Sequence, residues 1–135
     1  MNMCDCVFCK IIKGEIPSYK IYEDEKVYAF LDIAKDAFGH TLVIPKKHCV
    51  NIFDVSEEDY CAVMKAVKKI SEHYKSLGYT GVNIMNASGL DAQQSVFHLH
   101  YHIFPRKKDD GLNTWPNFTT KEIDFNKALN LLKMN

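Results

Sequence analysis

The sequence predicts an α+β fold: a five-stranded antiparallel sheet with one long helix and short helices toward the termini. Three features carry that reading. Short runs rich in branched and aromatic residues are separated by Gly, Pro and Asp, and one long run repeats its apolar residues at helical spacing. Five strands expected in hairpin order around that one helix indicate an antiparallel sheet.

Taken in order, Val7 to Lys13 reads as a short turn of helix, closed by Gly14 and followed by Pro17. Tyr19 to Glu23 alternates polar and apolar residues, and Val27 to Ile33 is dense in strand formers, with Asp24-Glu25-Lys26 as the hairpin turn between them. Gly39 opens a third strand, His40 to Ile44, stopped by Pro45. Ser56 then offers a hydroxyl cap, and Glu57, Glu58 and Asp59 place negative charge at the positive end of a helix dipole. Tyr60, Val63, Met64, Val67, Ile70, Tyr74 and Leu77 recur at helical spacing until Gly78 at the C′ position. Val82 to Met85 reads as a fourth strand and Asn86 to Ser95 as a polar loop. Val96 to Phe104 forms a fifth strand, and Thr120 to Met134 an amphipathic helix behind Trp115-Pro116.

At 135 residues the chain is one domain, residues 1–135, with no repeat or linker. A compact chain of this mass exposes roughly 7,000 Å² of the roughly 22,000 Å² shown when unfolded, enough burial for a core without disulfides. Seventeen basic and seventeen acidic side chains cancel, so no broad positive field gathers nucleic acid or seeks an anionic membrane. Any phosphate-bearing ligand must be held by locally placed donors. No apolar run reaches the roughly 18 residues of a membrane span, and the start lacks a signal-peptide pattern, so a cytoplasmic location is expected.

Five cysteines, Cys4, Cys6, Cys9, Cys49 and Cys61, are an odd set for disulfides. Cys61 falls in the helical run and reads as a small core residue. The Cys6-x-x-Cys9 pair has the spacing of a zinc knuckle or of a redox motif, although two ligands alone do not make a metal site.

The strongest chemical signal is His98, His100 and His102, interleaved with Leu99, Tyr101 and Ile103. Strand side chains alternate with period two, so the three imidazoles are expected on one face and the apolar residues on the other. Such a row can ligate zinc with an open fourth position, or supply a nucleophilic imidazole whose far nitrogen is held by an acceptor. The pattern alone does not separate the two. Asn86, Gln94 and Ser95 lie just upstream as neutral donors, and no G-x-x-x-x-G-K loop is present.

The run Gln94-Ser95-Val96-Phe97-His98-Leu99-His100-Tyr101-His102-Ile103-Phe104 resembles the signature of the histidine-triad superfamily, closest to its Hint-like nucleotide-binding branch. Phe8, Ile11 to Pro17, Glu23-Asp24, Ala29 to Ile33 and Gly39 to His48 fall in the family's order, so the resemblance spans residues 6 to 106 and leaves a tail from 107 to 135. It implies a hydrolase that cleaves purine nucleoside 5′-phosphoramidates or related nucleotidyl conjugates through a covalent nucleotidyl-His100. His102 and His40 would flank the nucleophile, and Gln94, Ser95 and Asn86 would contact the phosphate or leaving group. Asp32 would accept from the ribose hydroxyls, and Phe8, Ile11, Leu31 and Ile33 would line the base. Relatives with this C-x-x-C imply a structural zinc on Cys6, Cys9, His48 and His98, with Cys4 and Cys49 as neighbours able to substitute. A homodimer is implied as well. Rival readings are a dinucleoside polyphosphate hydrolase, a nucleotide-binding scaffold with incidental catalysis, and an enzyme with zinc held by all three triad histidines. One departure stands out: Gln93 occupies the place of the family's usual glycine.

Overall fold

The computed structural model describes residues 5–134, so Cys4 lies outside them. Helix α1 (Val7–Ile12) is followed by strands β1 (Lys20–Glu23), β2 (Val27–Leu31) and β3 (Thr41–Pro45), helix α2 (Glu57–Ser76), strands β4 (Gly81–Met85) and β5 (Tyr101–Arg106), and helix α3 (Phe125–Leu132). The strands form one antiparallel sheet in the order β1-β2-β3-β5-β4. The first three strands follow hairpin order. After α2 the chain instead lays β4 at the far edge, and β5 returns between β3 and β4.

Helix α2 starts where its cap predicts, with Ser56 Oγ accepting from the Asp59 N–H at 3.1 Å. It ends before Gly78, whose φ of 103° is open to glycine at little cost. Val63, Ala66, Val67, Ile70 and Tyr74 form its buried stripe. Cys61 is exposed on the opposite side, so it is not the core residue its helical setting suggested.

Two apolar layers cover the two faces of the sheet. On the α2 face, Val27, Ala29, Val43, Leu99, Tyr101 and Ile103 meet the helix stripe. On the other face, Tyr28, Phe30, Leu42 and Ile44 meet Cys6, Phe8, Cys9 and Ile11 of the N-terminal segment. Cross-strand register carries one row over this second face: Phe30 pairs with Leu42, Leu42 with His102, and His102 with Met85. Because neighbours across a ladder point the same way, His102 emerges on the α1 side of the sheet.

The fifth strand is shorter than the histidine pattern predicts. Regular pairing begins at Tyr101, so only His102 of the triad stands within a strand, while Val96 to His98 bend. The alternation of sides nevertheless survives, since Leu99, Tyr101 and Ile103 are all buried in the α2 layer.

Beyond β5 the Arg106 guanidinium gathers the chain, donating to Asn83, Thr114 and Asp110 at 2.8 Å each. The tail then leaves the body. Helix α3, shorter than Thr120 to Met134, is capped by Asp124 and buries none of its residues. Trp115, Phe118, Phe125, Leu131 and Leu132 are exposed. The total accessible surface of 9901 Å² accordingly exceeds the roughly 7,000 Å² of a compact chain of this mass.

Candidate active site and metal centre

His100 is buried, with its Nδ1–H donating to the main-chain carbonyl of His98 at 2.8 Å. A neutral imidazole carries one N–H, so this bond leaves the lone pair on Nε2. Burial pulls the His100 pKa below the usual histidine range, which keeps the ring neutral. Phe8 presents its ring edge-on at 5.3 Å between centroids, and the His102 ring stands 4.9 Å away. The residues therefore assemble a desolvated, unprotonated imidazole nitrogen, the requirement for a nitrogen nucleophile near neutral pH.

His102 is tied to His40 through Nδ1 and Nε2 at 2.8 Å, and His40 stacks on Phe104 with ring centroids 4.0 Å apart. Burial, with the neighbouring rings of His100 and His40, pushes the His102 pKa down to about 4. Gly39 allows His40 to sit here: its φ is 84°, and a Cβ at that position would lie 2.7 Å from Pro105 Cγ. The other nitrogen of His40, Nδ1, meets Asp36 Oδ1 at 2.9 Å. Asp32 Oδ2 is farther from the same nitrogen, at 3.7 Å, and its Oδ1 accepts from the Ala34 N–H at 2.8 Å. Sequence reasoning missed Asp36, because a loop aspartate four residues before a histidine has no distinguishing pattern.

The upstream loop has three different parts. Ser95 is exposed. Asn86 donates from Nδ2 to the His100 carbonyl at 3.0 Å and accepts from Ser88 Oγ at 2.8 Å, so it holds the backbone of His100. Gln94 is 5% exposed, and its amide is fully used: Nε2 donates to the Val50 and Val96 carbonyls, and Oε1 accepts from Asn51 and Gly89. With two donors and two acceptor sites filled, Gln94 braces the loop and has no capacity left for a phosphate. Gln93 adopts φ 69° and ψ 32°, the left-handed conformation in which a glycine is at ease.

The four apolar residues expected around a base do not form one slot. Phe8 and Ile11 are buried on the triad side and Ile33 is exposed. Leu31 lies on the opposite face, where it lines a cleft of about 620 Å³ with Ile21, Tyr74 and Leu77. The period of a strand explains the correction: Phe30 faces Phe8 across 5.5 Å, so its neighbour Leu31 must face away. Strand alternation would have selected Phe30 from the sequence.

A second cluster adjoins the nucleophile. Cys6, Cys9, His48 and His98 bring four ligand atoms within 4.8 Å of one another. Cys6 Sγ lies 3.3 Å from His98 Nδ1, Cys9 Sγ lies 3.4 Å from His48 Nδ1, and the two Nδ1 atoms are 3.2 Å apart. Tetrahedral zinc with sulfur and nitrogen ligands has edges of roughly 3.3–3.8 Å, so the spacing fits. The donor chemistry fits too. His98 Nε2–H donates to the Pro45 carbonyl at 2.8 Å, so Nδ1 is the bare nitrogen, and burial holds the ring neutral with its pKa down at about 4. Burial and the adjacent Cys6 push the Cys9 thiol up to about 11, the behaviour of a crowded thiol pair without a cation. Cys49 is buried in the α2 layer and is not part of this cluster. The triad rings do not converge on a common ion: His98 faces the cysteines while His102 bonds His40.

This combination of sheet, triad and cysteine cluster defines a histidine-triad protein. The sequence matches the HIT domain over residues 13–109, and the chain belongs to that family. It is 45% identical over 128 residues to an uncharacterized HIT-like protein of Methanocaldococcus jannaschii, covering 95% of this chain and 98% of that one. The adenosine 5′-monophosphoramidase of Schizosaccharomyces pombe is 40% identical over 115 residues, covering 84% of each chain. Among solved structures, a Zn-bound histidine triad family protein from Mycobacterium smegmatis superposes with a TM-score of 0.78 at 37% identity, covering 86% of this chain and 85% of that one.

Proposed function

We propose that this histidine-triad nucleotidyl hydrolase cleaves purine nucleoside 5′-phosphoramidates or related nucleotidyl conjugates, releasing the nucleoside monophosphate. The observation that carries the reading is the 2.8 Å bond from His100 Nδ1 to the His98 carbonyl, which leaves Nε2 as the free nucleophile. His100 Nε2 attacks the α-phosphorus, the bond to the leaving nitrogen breaks, and that nitrogen departs as the amine with a proton taken from solvent, which the attacking water of the second step returns. Water then displaces the nucleotide from His100 and restores the imidazole. Ser95 donates to the phosphate or leaving group, and Asp32 Oδ2 accepts from the ribose. Phe8, Ile11 and Phe30 supply the apolar wall for the base, with Ile33 at its rim. The activity named for the S. pombe relative supports this substrate class.

The cysteine cluster binds zinc in a closed Cys₂His₂ shell, with Cys6, Cys9, His48 and His98 as ligands. A full shell leaves no position for an activated water, so the metal is structural. The chain works as a homodimer, a reading supported by the exposed edge strand β4 and the exposed apolar tail. No described helix is long and apolar enough to cross a membrane. A cytoplasmic location and the lack of a nucleic-acid partner follow from the balanced charge and the cysteine usage.

Rapid-quench mass spectrometry with adenosine 5′-phosphoramidate tests the central step. A nucleotidyl adduct should map to His100. Steady turnover by a His100→Ala variant would rule the mechanism out.

A further inference from the structure

Asp36 lies in the loop between β2 and β3, outside the histidine triad and the cysteine cluster. Its Oδ1 is 2.9 Å from His40 Nδ1, whereas Asp32 Oδ2 at 3.7 Å is beyond hydrogen-bond reach of the same atom. A carboxylate can only accept, so the Asp36 contact requires a proton on His40 Nδ1 and, in the neutral ring, leaves the lone pair on Nε2. That lone pair faces His102 Nδ1 at 2.8 Å and can only accept from it. His102 then carries its proton on Nδ1, and its own Nε2 is bare. One carboxylate thus dictates the tautomers of two imidazoles in series, the second of which stands 4.9 Å, ring to ring, from His100.

We infer that Asp36 is a positioning residue for the reaction, acting through the chain Asp36–His40–His102 to fix which nitrogen of His102 is turned toward the reacting centre. His40 is 3% exposed, so water cannot readily replace the carboxylate in setting its tautomer. Asp36 itself is half-exposed, with a side-chain accessibility of 49%, and its removal leaves the core packing untouched. The other titratable groups around the pair are His100, which faces His102, and Asp32, whose Oδ1 is already engaged by Ala34. Without Asp36, the His40 ring is free to carry its proton on Nε2, which puts two N–H groups, or a reversed bond, between His40 and His102.

This inference rests on the nucleotidyl-transfer reading, and the two can fail separately. Three proteins are compared with adenosine 5′-phosphoramidate as substrate: wild type, Asp36→Ala and His100→Ala. Asp36→Ala should lower kcat by at least about tenfold, a general acid–base-sized effect, with KM within about twofold of wild type. Nitrogen-15 NMR of the imidazoles should show Nδ1–H on His40 in wild type and a mixture of tautomers in Asp36→Ala. An unchanged kcat, or a lowered kcat with the His40 tautomer unaltered, overturns the role of Asp36. Turnover by His100→Ala overturns the reading beneath it instead.

Discussion

His100 is buried, and the bond from its Nδ1 to the His98 carbonyl fixes the orientation of the ring to which the proposed chemistry is assigned. His100→Ala should abolish turnover while nucleotide affinity, measured by titration calorimetry, changes by no more than about tenfold, the scale of one lost contact. Gln93 is one of three described non-glycine residues with positive φ, beside Lys35 and Asp109, and a left-handed conformation costs an ordinary residue about 1–2 kcal/mol. Gln93→Gly should therefore raise stability by about 0.5–1 kcal/mol, read as a higher urea midpoint with an unchanged slope. The histidines and cysteines could be read from the sequence because their spacing is improbable without chemistry. Asp36 could not be read so easily, because it bonds through a loop, whereas Phe30 is within reach of strand alternation. Gln94 shows the opposite error, a polar residue whose amide turns out to be consumed by backbone partners.

At the scale of elements, α2 shows how closely local signals can mark a boundary. Its cap, acidic first turn and terminal glycine all act where the spacing put them, and Ser56→Ala should cost about 1 kcal/mol in chemical denaturation. The histidine strand was less legible, because alternation of sides and membership of a ladder are separate properties. Side alternation follows from an extended chain, whereas pairing needs a neighbour, and Regular pairing to β3 and β4 begins only after the bend at Val96 to His98. The same region makes stability depend on pH. His102 has a folded pKa of about 4 against an ordinary 6.5, and it is faced by His100, His40, Asp32 and Asp36. Between those values the unfolded chain binds a proton that the folded chain refuses, so stability must fall as the pH drops from 6.5 toward 4. Thermal unfolding followed across this range should show the decline, with a shallower slope in His102→Asn.

For the whole molecule, the α+β class and the five strands were readable from punctuation and periodicity, but the position of β5 between β3 and β4 was not. Strand order depends on which long-range pairs form, and nothing local records it. The tail was legible as amphipathic and not as detached, since periodicity records which face of a helix is apolar and not what that face meets; α3 buries none of its residues. Removing metal with a chelator should lower the unfolding midpoint by at least about 5 °C, because a closed metal shell contributes its binding energy to folding. Size-exclusion chromatography with light scattering should give twice the chain mass, and truncation after residue 114 should weaken that assembly. His98 joins the two clusters. Its ring belongs to the cysteine cluster while its carbonyl orients His100. If the cysteine cluster holds the proposed zinc, metal loading and catalytic competence share this one hinge pin: titrating zinc into stripped protein should restore melting temperature and turnover along a common curve.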